Sequence, residues 1–176
     1  MSEISDEMSQ ALCCAAAVRL DGALAVLADR AQLSDRYNQV IAGVESVIAS
    51  LGGQSLDTAV LGRAFGANWT LGARYPIELP GGSFFRSALR IVDIVLVATR
   101  PGRQATPEQG LEHALEAATE WPAMVQGDAG IGLAGFELAC QQEAHERLRE
   151  GGLPALWKLA AIQAGHYRKA AEMLVG

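Results

Sequence analysis

Apolar residues recur along this chain at spacings of three and four, the period of a helix face, while β-branched runs are nearly absent. Met8, Leu12, Ala15 and Ala16 share one face of a first helix that Ser5 or Asp6 opens and that runs to about Arg30. Ser34 opens a second, carrying Val40, Val44, Val47 and Leu51 and closed by Gly52-Gly53. Ser55 opens a shorter third through Leu56, Val60, Leu61 and Phe65, fading at Gly66. Residues 67–82 break the period. Tyr75-Pro76-Ile77-Glu78-Leu79-Pro80-Gly81-Gly82 reads as an extended, turn-forming connector. Ser83 then caps a helix over 84–99, which Pro101-Gly102 stops. Thr106-Pro107-Glu108 starts a fifth, with Leu111, Ala114, Leu115, Ala118 and Trp121 on one face and Pro122 at its end. A sixth spans about 130–150, Gly151-Gly152 follow, and a seventh spans 154–175. The pattern predicts a single all-α domain of about seven helices over 1–176, with residues 1–31 as an N-terminal helical extension.

The helix over 84–99 differs from the others. Phe84, Phe85, Leu89, Ile91, Val92, Ile94, Val95, Leu96 and Val97 cover nearly its whole circumference, so it should be central and buried. Its exception is a line made by Arg86, Arg90 and Asp93 at successive spacings of four and three. Two arginines one turn apart repel, and Asp93 relieves only one of them. Such a line can grip an anionic ligand, because a guanidinium offers a carboxylate two parallel hydrogen bonds. The alternative is that the line is simply the strip of this helix that reaches solvent.

Charge and composition narrow the function classes. The 176 residues include 14 basic and 20 acidic ones, a net charge of −6, which leaves no electrostatic footprint for nucleic acid. Half the residues are apolar, but apolar runs break every few residues, so no membrane span is expected. The acidic, polar start carries no secretory signal, and a cytoplasmic location follows as the expectation. Cys13, Cys14 and Cys140 are too few and too oddly numbered for a disulfide framework, and in alanine-rich helices they read as small core residues.

Catalytic and metal chemistry find no support. Gly130-Ile131-Gly132-Leu133-Ala134-Gly135 matches the dinucleotide fingerprint by letters, but helix surrounds it where a strand should precede it. Glu108, Glu112, Glu116 and Glu120 form an acidic stripe with His113 beside it, which reads as a solvated helix face. No glutamate stands three residues before a histidine, as a di-iron bundle requires. There is no nucleophile elbow and no phosphate loop ending in lysine, so no enzyme and no metal site are expected.

As an ordered series, several segments resemble the phycobiliproteins, the globin-like subunits of the cyanobacterial light-harvesting antenna. Ala28-Asp29-Arg30-Ala31-Gln32-Leu33-Ser34 resembles that family's junction between its paired N-terminal helices and its globin core. Tyr75 to Gly82 resembles its proline and glycine-glycine turn, and Ala88-Leu89-Arg90 with Asp93-Ile94-Val95-Leu96 falls on its bilin-carrying helix. Trp121-Pro122-Ala123-Met124-Val125 and His166-Tyr167-Arg168-Lys169-Ala170-Ala171 resemble the turn before its penultimate helix and the close of its last one. The likeness spans about residues 22–175.

The departures bear on function. The position of the family's bilin-attachment cysteine holds Ala88, and that of its pyrrole-binding aspartate holds Ile91. The asparagine–aromatic pair after the glycines is Ser83-Phe84, and the arginine expected to pair with Asp29 is Val97. The resemblance therefore implies a globin-like, non-catalytic protein that has lost covalent attachment. It would hold a bilin or other tetrapyrrole, or another apolar ligand, noncovalently, or serve as a colourless assembly subunit. Arg86, Arg90 and Asp93 would then clamp the ligand's acid groups, and Phe84, Phe85 and Trp69 would line its apolar side. The partner would be a related helical subunit met through Asp29, or a second copy, which would need a different contact because Val97 stands where the pairing arginine is expected. The alternative is a small all-α interaction protein without ligand, which dimerises or docks through Met8 and Leu12 of a projecting first helix.

Overall fold

A computed structural model describes residues 6–99, 106–121 and 132–176. Six helices occupy these residues: α1 (Asp6–Arg30), α2 (Ser34–Leu51), α3 (Thr58–Arg74), α4 (Gly82–Val97), α5 (Pro107–Thr119) and α6 (Gly132–Val175). No strand occurs among them, as the periodicity predicts.

The last element departs from the expected count of seven. Positions 132–175 form one helical element, α6, made of two limbs that meet at Gly152, whose φ of 66° and ψ of −162° lie outside the helical region. Tyr167 donates to Glu137 and Gln163 donates to Glu143 across that break, so the two limbs lie antiparallel. Glycine reaches this conformation without a Cβ penalty, and Pro154 then suits the first turn of the second limb.

Two other boundaries move. α3 continues to Arg74, well past Gly66, so residues 67–74 are helix, while the expected connector over 75–82 is turn up to the start of α4. The N-cap of α3 is Asp57, not Ser55, and the Asp57 carboxylate accepts from the amides of Ala59 and Val60. One glycine in mid-helix costs about 1 kcal/mol, which the buried face of Leu61, Ala64, Ala67 and Leu71 offsets. At α4 the N-cap is Gly81, with φ of 77°, in place of Ser83. The Thr106 cap of α5 forms as the sequence implies, with Gln109 completing a reciprocal capping box.

α1 and α4 supply much of the core. α4 buries all but Ser83, Arg86, Arg90 and Asp93 along its length. α1 is equally central and does not project as an extension. Leu12 is 2% exposed and packs with Ala144, Leu148, Leu156 and Ala160 of α6, while Met8 is half-buried against the same cluster. That packing removes the apolar docking face on which partner binding through Met8 and Leu12 depended. α1 also corrects the expectation that no segment is apolar enough for a membrane: by length and composition it meets that test. Core helices meet it too, and 78% of the apolar stretch is buried within this chain.

Small residues let α1 lie close to its neighbours. A Cβ on Gly22 would overlap the carbonyl oxygen of Ala164 in α6, and Gly110 of α5 sits directly against the Cys13 sulfur. Asp29, at the end of α1, is exposed and accepts a hydrogen bond from the Ser34 hydroxyl at 3.1 Å, tying the turn into α2.

Candidate functional site

The polar line on α4 opens onto a groove of ≈ 380 Å³ shared with α3 and α5. Arg86, Arg90 and Asp93 edge it from α4, over a floor of Leu89 and Ile94. α3 contributes Asn68, Trp69 and Gly72, and α5 contributes His113. Trp69, named in the sequence only through the family resemblance, thus lies beside the Arg86–Arg90–Asp93 line. The line is the strip of α4 that reaches solvent, and it borders this groove.

The side chains around this groove differ in how they are held. Arg86 donates through Nη2 to the Tyr75 carbonyl at 3.3 Å, which anchors it beside the turn before α4. His113 Nδ1 lies 2.8 Å from Glu116 on the exposed face of α5. Trp69 is 64% exposed, an unusual place for so large an apolar ring. Asn68 is buried, and its Nδ2 donates to the Leu89 carbonyl at 3.3 Å. Its Oδ1 is sealed from water and has no hydrogen-bond partner. A carbonyl oxygen left without a donor costs about 1–3 kcal/mol, so this atom is a debt that a ligand with an N–H or O–H can settle.

Phe84 and Phe85 do not line the groove. Both are fully buried and absent from its lining. Phe84 meets Trp121 edge to face at 4.6 Å, and Phe85 stacks on Tyr75 at 3.9 Å. They are core residues, because a helix apolar on most of its circumference turns its aromatic rings inward. Ala88 and Ile91 are likewise fully buried and outside the groove.

A second polar centre lies deep in the fold. Arg19 of α1 reaches Glu137 of α6 through Nη2 at 2.6 Å and Nε at 3.3 Å. The same carboxylate accepts from the Tyr167 hydroxyl at 2.8 Å and from Gln141 at 3.0 Å. Burial pulls the Arg19 guanidinium down, but the Glu137 carboxylate more than restores it. Burial, then the Glu137 charge, push the Tyr167 phenol well above its ordinary value. Four acceptor contacts on one carboxylate make this a structural tether, with Arg19 Nη1 its one unpartnered donor.

All three cysteines are buried and free. Burial raises the Cys13 and Cys140 thiols to about 12, so they remain protonated and unreactive at neutral pH. Among the described residues no three His, Cys, Asp or Glu side chains converge on a metal position. Gly130 and Ile131, the start of the glycine-rich run, lie outside the described residues, and Gly132 opens α6. Glu108, Glu112, Glu116 and Glu120 are exposed along α5, with Glu120 accepting from Ser87 at 2.5 Å.

Asn68 and His113 are the groove residues that sequence reasoning misses. Asn68 falls in the stretch where the helical period reads as broken, which hides its place one position before Trp69 on α3. Comparison of the chain with protein-family models, curated proteins and solved structures gives no significant match.

Proposed function

We propose that this protein is a non-catalytic, phycobiliprotein-like helical binding protein with a globin-like arrangement, and that the α3–α4–α5 groove holds a planar, acidic ligand noncovalently. The observation that carries this reading is the buried, unpartnered Oδ1 of Asn68 in a groove edged by two arginines and an exposed tryptophan. Each group matches a different part of one ligand class. Arg86 and Arg90 suit acid groups, Trp69 suits the face of a conjugated ring, and Asn68 Oδ1 suits an N–H.

A bilin or other tetrapyrrole carries all three features, and the resemblance noted in the sequence makes it the first candidate. The donor set fits such a group. The size fits it only in part, because ≈ 380 Å³ is near the lower end of ligand pockets and the rest of the molecule would lie across Trp69 in solvent. Ala88 precludes a thioether link at the matched position, and its burial keeps it away from the ligand. The assignment thus rests on the arginine line and Asn68. It does not rest on the attachment position.

The test compares wild-type protein with Asn68→Leu and Arg90→Ala in visible absorbance titrations with biliverdin and haem. Weaker binding in both variants supports the groove, whereas wild-type affinity in both would place the ligand elsewhere.

A further inference from the structure

The two limbs of α6 leave between them a second cleft, of ≈ 490 Å³, that the reading above does not use. Antiparallel pairing gives it two unlike ends. Phe136 and His166 lie ring to ring at 5.2 Å at one end. Arg147 and Lys158 stand at the other, near the Gly152 break. From Phe136 to Arg147 is eleven positions of continuous helix, a rise of about 16 Å. Leu159 and Ile162 give the wall between the ends an apolar surface, and Ile162 is 60% exposed.

Gln163 marks the middle of the cleft. It is 4% exposed, and its Nε2 donates to Glu143 Oε2 at 3.2 Å. That bond fixes the orientation of the amide, because the reverse would set two oxygens against each other. Its Oε1 is therefore committed as an acceptor, and it is buried with no partner. A ligand seated here that donates to it would satisfy it.

Charge decides the rest. Glu143 is 3.9 Å from Arg147, so that cation is largely answered within the cleft. Lys158 makes no ion pair among the described residues and leaves the lining with one positive charge in excess. A free amino acid, with no net charge, leaves Lys158 uncompensated, and it fills little of ≈ 490 Å³. Lys158 and Gln163 share a limb five positions apart, about 7.5 Å of rise. A carboxylate one carbon from an N–H, with a hydrogen bond at each end, spans that distance.

We propose that this cleft is a binding site for a singly charged amphiphilic anion with an amide N–H beside its acid group, the chemistry of an N-acyl amino acid. The carboxylate meets Lys158, the N–H meets Gln163 Oε1, and the acyl tail lies along Ile162 toward Phe136 and His166.

The experiment is isothermal titration calorimetry of the full chain with N-octanoylglycine and with N-octanoylsarcosine, which has the same charge and tail but no N–H. The glycine compound should bind saturably at one site, and the sarcosine compound at least about 5-fold more weakly. Lys158→Gln, an exposed substitution, should weaken the glycine compound about 10-fold while leaving the thermal midpoint unchanged. Arg90→Ala, in the other groove, should bind it as wild type does. Equal affinities for the two compounds, no binding at millimolar concentration, or full affinity in Lys158→Gln would each overturn the site. Loss of binding in Arg90→Ala would overturn it too, by moving the ligand to the α3–α4–α5 groove.

Discussion

Arg19 and Glu137 stand 118 positions apart in the chain and close to 2.6 Å inside it, with both side chains sealed from water. The pair joins α1 to the first limb of α6, and Tyr167 on the same carboxylate joins the second limb. One ion pair thus fixes three helical segments. Truncating either partner leaves a buried charge with no counterion, so Arg19→Ala or Glu137→Ala should cost about 3–5 kcal/mol in urea denaturation. Replacing both by apolar residues of similar size should cost clearly less than the sum of the two single changes.

Glycines on the two sides of the fold should respond with opposite signs. Gly22→Ala drives a methyl into the Ala164 carbonyl and should destabilise by about 1–3 kcal/mol. Gly62, on the exposed face of α3, has open space around it. Gly62→Ala should stabilise by up to about 1 kcal/mol through helix propensity alone. Denaturant midpoints for the two variants check both signs.

Alkaline pH should weaken the fold before it affects the surface. Burial lifts the Cys13 and Cys140 thiols from an ordinary 9.0 to about 12, so the native state keeps protons that the unfolded chain releases. Stability therefore falls as pH rises above 9 and continues to fall until about 12. The buried phenols of Tyr37 and Tyr167 act in the same direction. A lower urea midpoint at about pH 10.5 than at about pH 8 is the expected result.

The same burial makes the thiols slow. In native protein none of the three should react with an aromatic disulfide reagent on the timescale of mixing, and all three should react once the chain is unfolded. Rapid labelling of one cysteine in the native protein would mean that its helix opens locally.

The polar line of α4 is legible from sequence because three charges on an otherwise apolar helix break a local period, and period is what a sequence displays. The Gly151-Gly152 break and the Thr106 cap are legible for the same reason, since turn and cap chemistry is local. The Arg19–Glu137 pair is not legible. It joins residues with no common period, and Arg19 in an alanine-rich helix reads as one polar position among apolar ones. The burial of α1 is hidden in a related way. Its weak apolar asymmetry shows a helix, while its place in the core depends on contacts with α6. Asn68 is obscured by Gly66, at which the third helix reads as fading although packing overrides the propensity of glycine.

The most direct test of the proposed function is a visible absorbance titration of the purified protein with biliverdin, phycocyanobilin and haem. Binding in the α3–α4–α5 groove predicts a saturable, red-shifted or sharpened band at near-stoichiometric uptake for at least one of them. Arg90→Ala should weaken that uptake by about 1.5–3 kcal/mol, the scale of a charged hydrogen bond, without unfolding the protein. An unchanged spectrum with all three would contradict the account.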